Sequence, residues 1–417
     1  MVVHRGPSIL PIRAWRQGKW QKIFGFGICD FCFLSMLTRV DILTHAVLGA
    51  AMGELLMGSR MGNRALILGA LMGVMPEITA WLNPFLDTAH QLDLHRGPSH
   101  SLLVMALGSY GLARATTRFW AKWKISRIQA FGFIFTLWCV HVLADCFGSQ
   151  GAALGWPISA SRVCFNHLYE TDVLYVAPLF VTAVGLIFLR ESAGQKTRGK
   201  SLPPVSKRKR WCHWGLGLSF GYVVLSVAMK WLASSGFEAD LERRKVTYER
   251  RMEAPTPYNI LFWRSVVDRG DELWVGYRSV FEFHETPVRW TIYPKHEDAI
   301  EKIADLRQTR TLLNHTGGWW IARPHVKGAW LGDLQQGEAR LWEVKKGMVD
   351  SRPAHSWVID ASATHDALRP GSRQEQPTHE ILARIAARLI GKREQWESNP
   401  RLSGIAGSLP EFLAVQE

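Results

Sequence analysis

The chain has 417 residues, 47% of them hydrophobic, and a formal net charge of +14, so it is long enough for two domains. Much of the basic excess lies in short loops between apolar runs, which points to membrane orientation and makes nucleic acid an unlikely partner. The six cysteines, Cys29, Cys32, Cys139, Cys146, Cys164 and Cys212, give no disulfide framework.

Residues 1–22 are basic, with Arg5, Arg13, Arg16, Lys19 and Lys22, and an apolar stretch follows from Ile23 to Leu37. That stretch is short for a membrane span. It has the basic and apolar regions of a signal peptide without a small-residue cleavage site, and a natural start at Met36 is the third reading. Cys29 and Cys32 have zinc-like spacing, but they lie in this apolar run without a second pair, so no site is expected there. Residues 1–40 are treated as an extension without assigned function.

From residue 41 to 232 the chain is rich in Leu, Ala, Gly, Val and Phe. Candidate membrane helices fall at 42–58, 64–82, 100–114, 128–147, 172–190 and 212–232, most of them near the lower end of the roughly 17–25 residues needed to cross. The expectation is a mainly α, polytopic membrane domain of five to six transmembrane helices. The runs at 46–58 and 64–82 carry glycines and Glu54, which also suits buried helices. Loops 111–127 and 190–211 are strongly basic and are expected to face the cytoplasm. With alternating helices, the opposite face receives Asp41, His45, Glu77, His95, His100, the ends of His141 and Asp145, and the loop 149–171.

Beyond residue 232 the composition becomes that of a soluble domain. Short runs at Leu273–Tyr277, Val288–Ile292, Trp319–Ala322 and Trp357–Ile359 read as strands of a half-buried antiparallel sheet. Residues 297–313 and 379–396 read as helices. Residues 233–417 are therefore expected to form a soluble α+β domain, periplasmic by the loop-charge argument. Its histidines, His284, His296, His315, His325, His355, His365 and His379, lack ligand spacing and read as surface residues.

The chemistry is expected in the helical part. His141 and Asp145 are four residues apart, as are Asp41 and His45, so each pair shares a helix face. His95 and His100 flank a Gly97-Pro98 turn that can fold both imidazoles inward, and Arg96 between them can hold an anionic oxygen. A charged side chain at bilayer depth costs on the order of 2.5–3.5 kcal/mol. Several such groups on one face point to a shared cation more readily than to packing. His90, Asp87 and Asp93 are second-shell or loop residues, and Asp172 either caps the next helix or orients a ligand. The proposed metal ligands are His45, Glu77, His95, His100, His141 and Asp145. Zinc is the expected ion, with manganese as the other candidate, and Glu77, Arg96 and His100 are the catalytic candidates.

These residues fall in an ordered set of motifs: Asp41-Ile42-Leu43-Thr44-His45-Ala46-Val47-Leu48-Gly49, Met75-Pro76-Glu77, His95-Arg96-Gly97-Pro98-Ser99-His100-Ser101 and His141-Val142-Leu143-Ala144-Asp145. The set, with Gly155-Trp156-Pro157 and Thr171-Asp172 after it, resembles the YdjM-like inner-membrane metal-dependent hydrolase family over residues 41–190. The segment Pro255-Thr256-Pro257-Tyr258-Asn259 is similar to the outer domain of its longer members. The resemblance implies a hydrolase distantly similar to the helical zinc phospholipase C and single-strand nuclease folds. Members often show Pro-Asp-x-Asp where this chain has Pro76-Glu77-Ile78-Thr79, and Thr79 counts against a full multinuclear cluster. The expected activity is hydrolysis of a phosphoester or other ester by metal-activated water at the outer face of a bacterial inner membrane, on a substrate such as a phospholipid. Two rival readings remain: a non-catalytic membrane scaffold whose C-terminal domain binds a partner, and an ion transporter, which the one-sided placement of the polar groups disfavours.

Overall fold

The structure is a computed structural model that describes residues 28–170, 172–189, 206–343, 348–362, 368–371 and 378–397. The basic segment 1–22, the start of the apolar stretch, His365 and the side chains of Cys29, Cys32 and Asp41 lie outside the described residues. The chain divides into two compact units, Met1–Leu43 and Thr44–Glu417. The described part of the first is helical and is the beginning of α1, Ile28–Met61.

Helix α2, Asn63–Val74, runs into a 3-10 helix, Met75–Phe85, where Pro76 removes a backbone N–H and the turn tightens. The short α3, Thr88–Leu94, and a 3-10 turn, Pro98–His100, lead to α4, Leu102–Ala115, and α5, Thr117–Ala121. Next comes α6, Arg127–Phe147, which opens with a capping box between Ser126 and Gln129. Asp172 accepts from Leu174 N at 3.0 Å and so caps α7, Val173–Phe188. It also accepts from Tyr222 Oη at 2.8 Å, on α8, Lys207–Arg243. Among the described residues, four stretches are long and apolar enough to cross a membrane: 42–61, 63–85, 127–147 and 207–243. Helices α4 and α7 are shorter and also apolar.

Helices α1 and α2 meet backbone to backbone. A Cβ on Gly69 would lie 2.2 Å from Gly49 O, and one on Gly53 would lie 2.4 Å from Ala65 O. Glycines four apart on both helices, Gly49/Gly53 and Gly69/Gly73, make this approach possible. Glu54, deeper in α1, accepts a two-pronged bond from Arg208 of α8 at 2.7 and 2.6 Å, which satisfies a carboxylate that would otherwise be costly to bury.

Among the described residues, eight strands follow in two antiparallel sheets. The first contains β1, Arg250–Pro255, β2, Phe262–Asp268, β3, Glu272–Ser279, and β4, Trp290–Pro294, paired in sequence order. After α9, Asp298–Glu301, and α10, Arg307–His315, the second contains β5, Trp320–His325, β6, Gly328–Glu343, β7, Met348–Asp360, and β8, Leu368–Pro370. A register irregularity lies between Asp333 and Glu338 of β6. Arg264 of β2 ties the sheets together by donating to Leu334 O at 2.9 Å and Gln335 O at 2.7 Å. Helix α11, Thr378–Leu389, ends where Gly391 adopts a φ of 93°.

A helical region with candidate membrane spans followed by an α+β region is the expected fold class, and each expected strand is present. Four details differ, one being that the expected helix 379–396 ends at Leu389 and is followed by a separate 3-10 turn, Arg393–Gln395. The expected helix 297–313 is broken into α9 and α10, because Leu306 takes an extended conformation with ψ of 134°. The expected boundary at 232/233 falls inside α8, whose final turns bury Phe237 and Leu241 against Trp263, Val267 and Trp290 of the first sheet. His315 is not a surface residue: it is on the inner face of α10, edge-on to Trp357 with ring centroids 5.9 Å apart.

Candidate metal centre

The glycine contact between α1 and α2 fixes the floor of the site. A Cβ on Gly73 would fall 2.6 Å from His45 O, so the end of α2 lies directly beside His45. At that end the backbone changes from α to 3-10 pairing, which leaves carbonyls without the usual helical donor. One of them, Gly73 O, is 2.6 Å from His141 Nδ1. With a proton on Nδ1 donated to that carbonyl, Nε2 of His141 is an acceptor turned to the centre.

The 3-10 helix after Pro76 brings in Glu77, and the turn after α3 brings in His100. Arg96 in this turn has a φ of 51°, a left-handed conformation that redirects the chain between α3 and the Pro98–His100 turn. Ser99 Oγ lies 3.0 Å from His100 Nδ1, so this ring too has its outer nitrogen engaged and presents Nε2 inward. Asp145 follows His141 by one helical turn on α6.

Ligand atoms of Glu77, His100, His141 and Asp145, all buried, lie within 4.8 Å of one another. His100 Nε2 is 3.1 Å from His141 Nε2 and 3.1 Å from Asp145 Oδ2, and His141 Nε2 is 3.2 Å from Asp145 Oδ2. Glu77 Oε1 is 3.4 Å from His100 Nε2 and 3.6 Å from His141 Nε2. Donors about 2.0–2.1 Å from a central ion at tetrahedral angles are about 3.3–3.4 Å apart. The observed separations bracket that value. Glu77 Oε1 and both Asp145 oxygens are buried without a well-formed hydrogen bond, as expected of groups shaped around a cation. On donor chemistry and spacing, the four residues fit a divalent ion.

The other proposed residues surround this group in different ways. His45 Nε2 lies 3.1 Å from Asp145 Oδ1, and its ring stacks on His141 with centroids 3.7 Å apart. Arg96 Nη2 is 3.3 Å from the same Asp145 oxygen, so its buried guanidinium offsets part of the carboxylate charge. His95 points elsewhere, with Nε2 3.0 Å from Gln150 Oε1. Gln150 in turn donates to Glu170 at 3.0 Å and reaches Gln336 of the second sheet at 3.5 Å.

Asp87 caps α3, accepting from His90 N at 2.8 Å. Asp93 joins Arg307 and Thr311 of α10 at 2.9 and 3.2 Å, tying α3 to the sheet region. Thr79, where the resembling family often has a carboxylate, lies 3.5 Å from Ser99 Oγ and outside the four-donor group. Sequence reasoning missed Gly73 and Ser99, the partners that set the histidine tautomers. The glycine spacing in α2 was the available signal for the first, whereas nothing in a lone serine marks the second.

The model of the family described as YdjM inner membrane protein matches residues 40–233. No curated protein and no solved structure matches the chain.

Proposed function

We propose, from the match of residues 40–233 to the model of the YdjM inner membrane protein family, that this membrane protein is a metal-dependent hydrolase of a phosphoester or other ester. The observation that carries the reading is the buried set Glu77, His100, His141 and Asp145, with donor atoms within 4.8 Å of one another. These four would hold the ion. Two imidazoles with two carboxylates suit zinc, and manganese is the second choice. With Thr79 outside the group, one ion is the natural occupancy.

When bound, the ion supplies Lewis acidity toward water and toward an ester oxygen. Glu77 has the longest separations of the set from the two histidines, at 3.4 and 3.6 Å. It is therefore the group best placed to loosen and accept a proton at Oε1. Arg96 orients Asp145 and offers positive charge to developing negative charge on the substrate. His45 supports Asp145 at the same oxygen. The basic loops 111–127 and 190–211 support a multi-pass arrangement in a bacterial inner membrane with the sheet region periplasmic. A site among groups near the helix ends suits a substrate at the bilayer surface, such as a phospholipid.

A second reading rests on the same residues: four protein donors gathered within 4.8 Å of one another could fill all four positions of a tetrahedral ion, which is the pattern of a structural site. Elemental analysis of the full-length protein in detergent, wild type beside His141→Ala, and a phosphoester hydrolysis assay separate the readings. The hydrolase reading expects near-stoichiometric metal and turnover in the wild type, both lost in the variant. Metal lost together with thermal stability, from a wild type that turns over no ester, favours the structural ion. A wild type that holds no metal after supplementation overturns both.

A further inference from the structure

The loop between β3 and β4 exposes two phenylalanines. Phe281 is 66% exposed and Phe283 80%, whereas Phe262 on the neighbouring strand is fully buried. The loop is held from beneath. Arg278, itself buried, donates to Glu282 O at 3.2 Å, Phe283 O at 2.5 Å and Thr286 O at 3.2 Å. The Glu282 carboxylate accepts from Ser279 N at 3.1 Å and pairs with Arg388 at 2.8 Å. Buried polar contacts thus hold the loop in place while it presents apolar rings at the surface.

The loop also has a fixed level along α8. His284 Nε2 is 3.2 Å from Ser235 Oγ, and Arg243 Nη1 donates to Glu285 O at 2.8 Å. Gly236 of α8 lies on Arg278, where a Cβ would meet Nε at 2.2 Å. Before this level, α8 exposes a belt of apolar side chains, including Phe220 and Val224, that ends at Trp231 and Leu232, which are 73% and 37% exposed. Lys230 beside it donates to Phe165 O at 2.6 Å. A tryptophan and a lysine closing an apolar belt are the side chains found at the edge of the hydrocarbon layer. At about 1.5 Å of rise per residue, Ser235 lies about 6 Å beyond Trp231, within a headgroup layer about 5–7 Å thick.

We propose that the β3–β4 loop, through Phe281 and Phe283, inserts into the headgroup and upper acyl layer of the leaflet beside α8, anchoring the sheet region to the membrane. The occupant is lipid because the loop that carries the two exposed rings is bonded to α8 at Ser235, about one helical turn beyond the exposed Trp231 of the apolar belt. The inference goes beyond the hydrolase reading and needs no metal.

The test is photocrosslinking of the full-length protein in phosphatidylethanolamine/phosphatidylglycerol nanodiscs. p-Benzoylphenylalanine replaces Phe281, Phe283, Phe220 or Tyr248 one at a time, and adducts are read by mass spectrometry. Phe220 is the lipid-exposed reference, and Tyr248 lies past the end of α8. The expected result is lipid adducts at 220, 281 and 283 and none at 248. Lipid adducts at 220 without any at 281 and 283 would overturn the proposal, as would adducts at the loop positions to protein alone. Absence of lipid adducts at 220 would remove α8 from the bilayer and the proposal with it.

Discussion

At the residue scale, what distinguishes the candidate metal centre from a cluster of buried histidines is the outer contact of each ring. Gly73 O at 2.6 Å and Ser99 Oγ at 3.0 Å engage Nδ1 of His141 and His100, respectively, leaving both Nε2 atoms for the centre. A partner of this kind fixes tautomer and ring orientation, and its loss typically lowers metal affinity about 10–100-fold. Ser99→Ala is therefore expected to weaken binding by that range with the fold intact, measured by competition with a chelator. Unchanged affinity would mean that Ser99 does not orient His100. His141 and Asp145 were legible in the sequence because four-residue spacing on a helix places both on one face whatever surrounds them. His95 was not, because the left-handed backbone at Arg96 separates the directions of His95 and His100, and that conformation has no signature in a non-glycine residue. The tail histidines were read by spacing alone, and spacing does not show that α10 turns His315 inward.

At the scale of elements, the features that weakened the reading of 46–58 and 64–82 as spans are the ones that build the helix packing. Their glycines form the contact between α1 and α2, and Glu54 is matched by Arg208, a partner from α8 that local sequence cannot reveal. This gives a prediction about both stability and metal. A methyl group at Gly69 would lie 2.2 Å from the Gly49 carbonyl oxygen, and backbone cannot swing away as a side chain can. Gly69→Ala is expected to separate the helices, destabilise the protein by about 1–3 kcal/mol and lower metal content by displacing the nearby Gly73 carbonyl from His141. Gly217→Ala, on a face of α8 with nothing within 4 Å of the added carbon, should do neither. Thermal unfolding in detergent with elemental analysis checks both variants. Equal behaviour of the two would sink the idea that the glycine contact positions the site. The strands, by contrast, were legible because alternation over a few residues is a local property. Their division into two sheets joined by Arg264 depends on distant partners.

At the scale of the whole molecule, α8 joins the helical region to the first sheet without a flexible linker at the change in composition. Its last turns carry Asp240, a buried carboxylate that accepts from Val288 N at 3.1 Å and from Trp290 Nε1 at 2.9 Å. Arg243, at the end of the helix, and Arg244, just past it, pair with the same carboxylate at 3.3 and 2.8 Å. Removing the carboxylate strands two buried donors at about 1–3 kcal/mol each, so Asp240→Ala should destabilise the sheet region by roughly 2–5 kcal/mol. The candidate metal ligands come from α2's 3-10 extension, the turn after α3 and α6, none of which Asp240 touches. The expected outcome is a lower denaturant midpoint for the tryptophan-rich sheets, followed by fluorescence in the full-length protein, with metal content retained. The more conservative Asp240→Asn keeps one acceptor and should fall between wild type and alanine. Metal lost in parallel with sheet stability would instead show that the sheet region holds the centre together, through contacts such as Gln335 Nε2 to Ser149 O at 2.8 Å and the Gln150–Gln336 contact beside His95. In that case the soluble region would be part of the metal site's architecture and not a separate attachment to it.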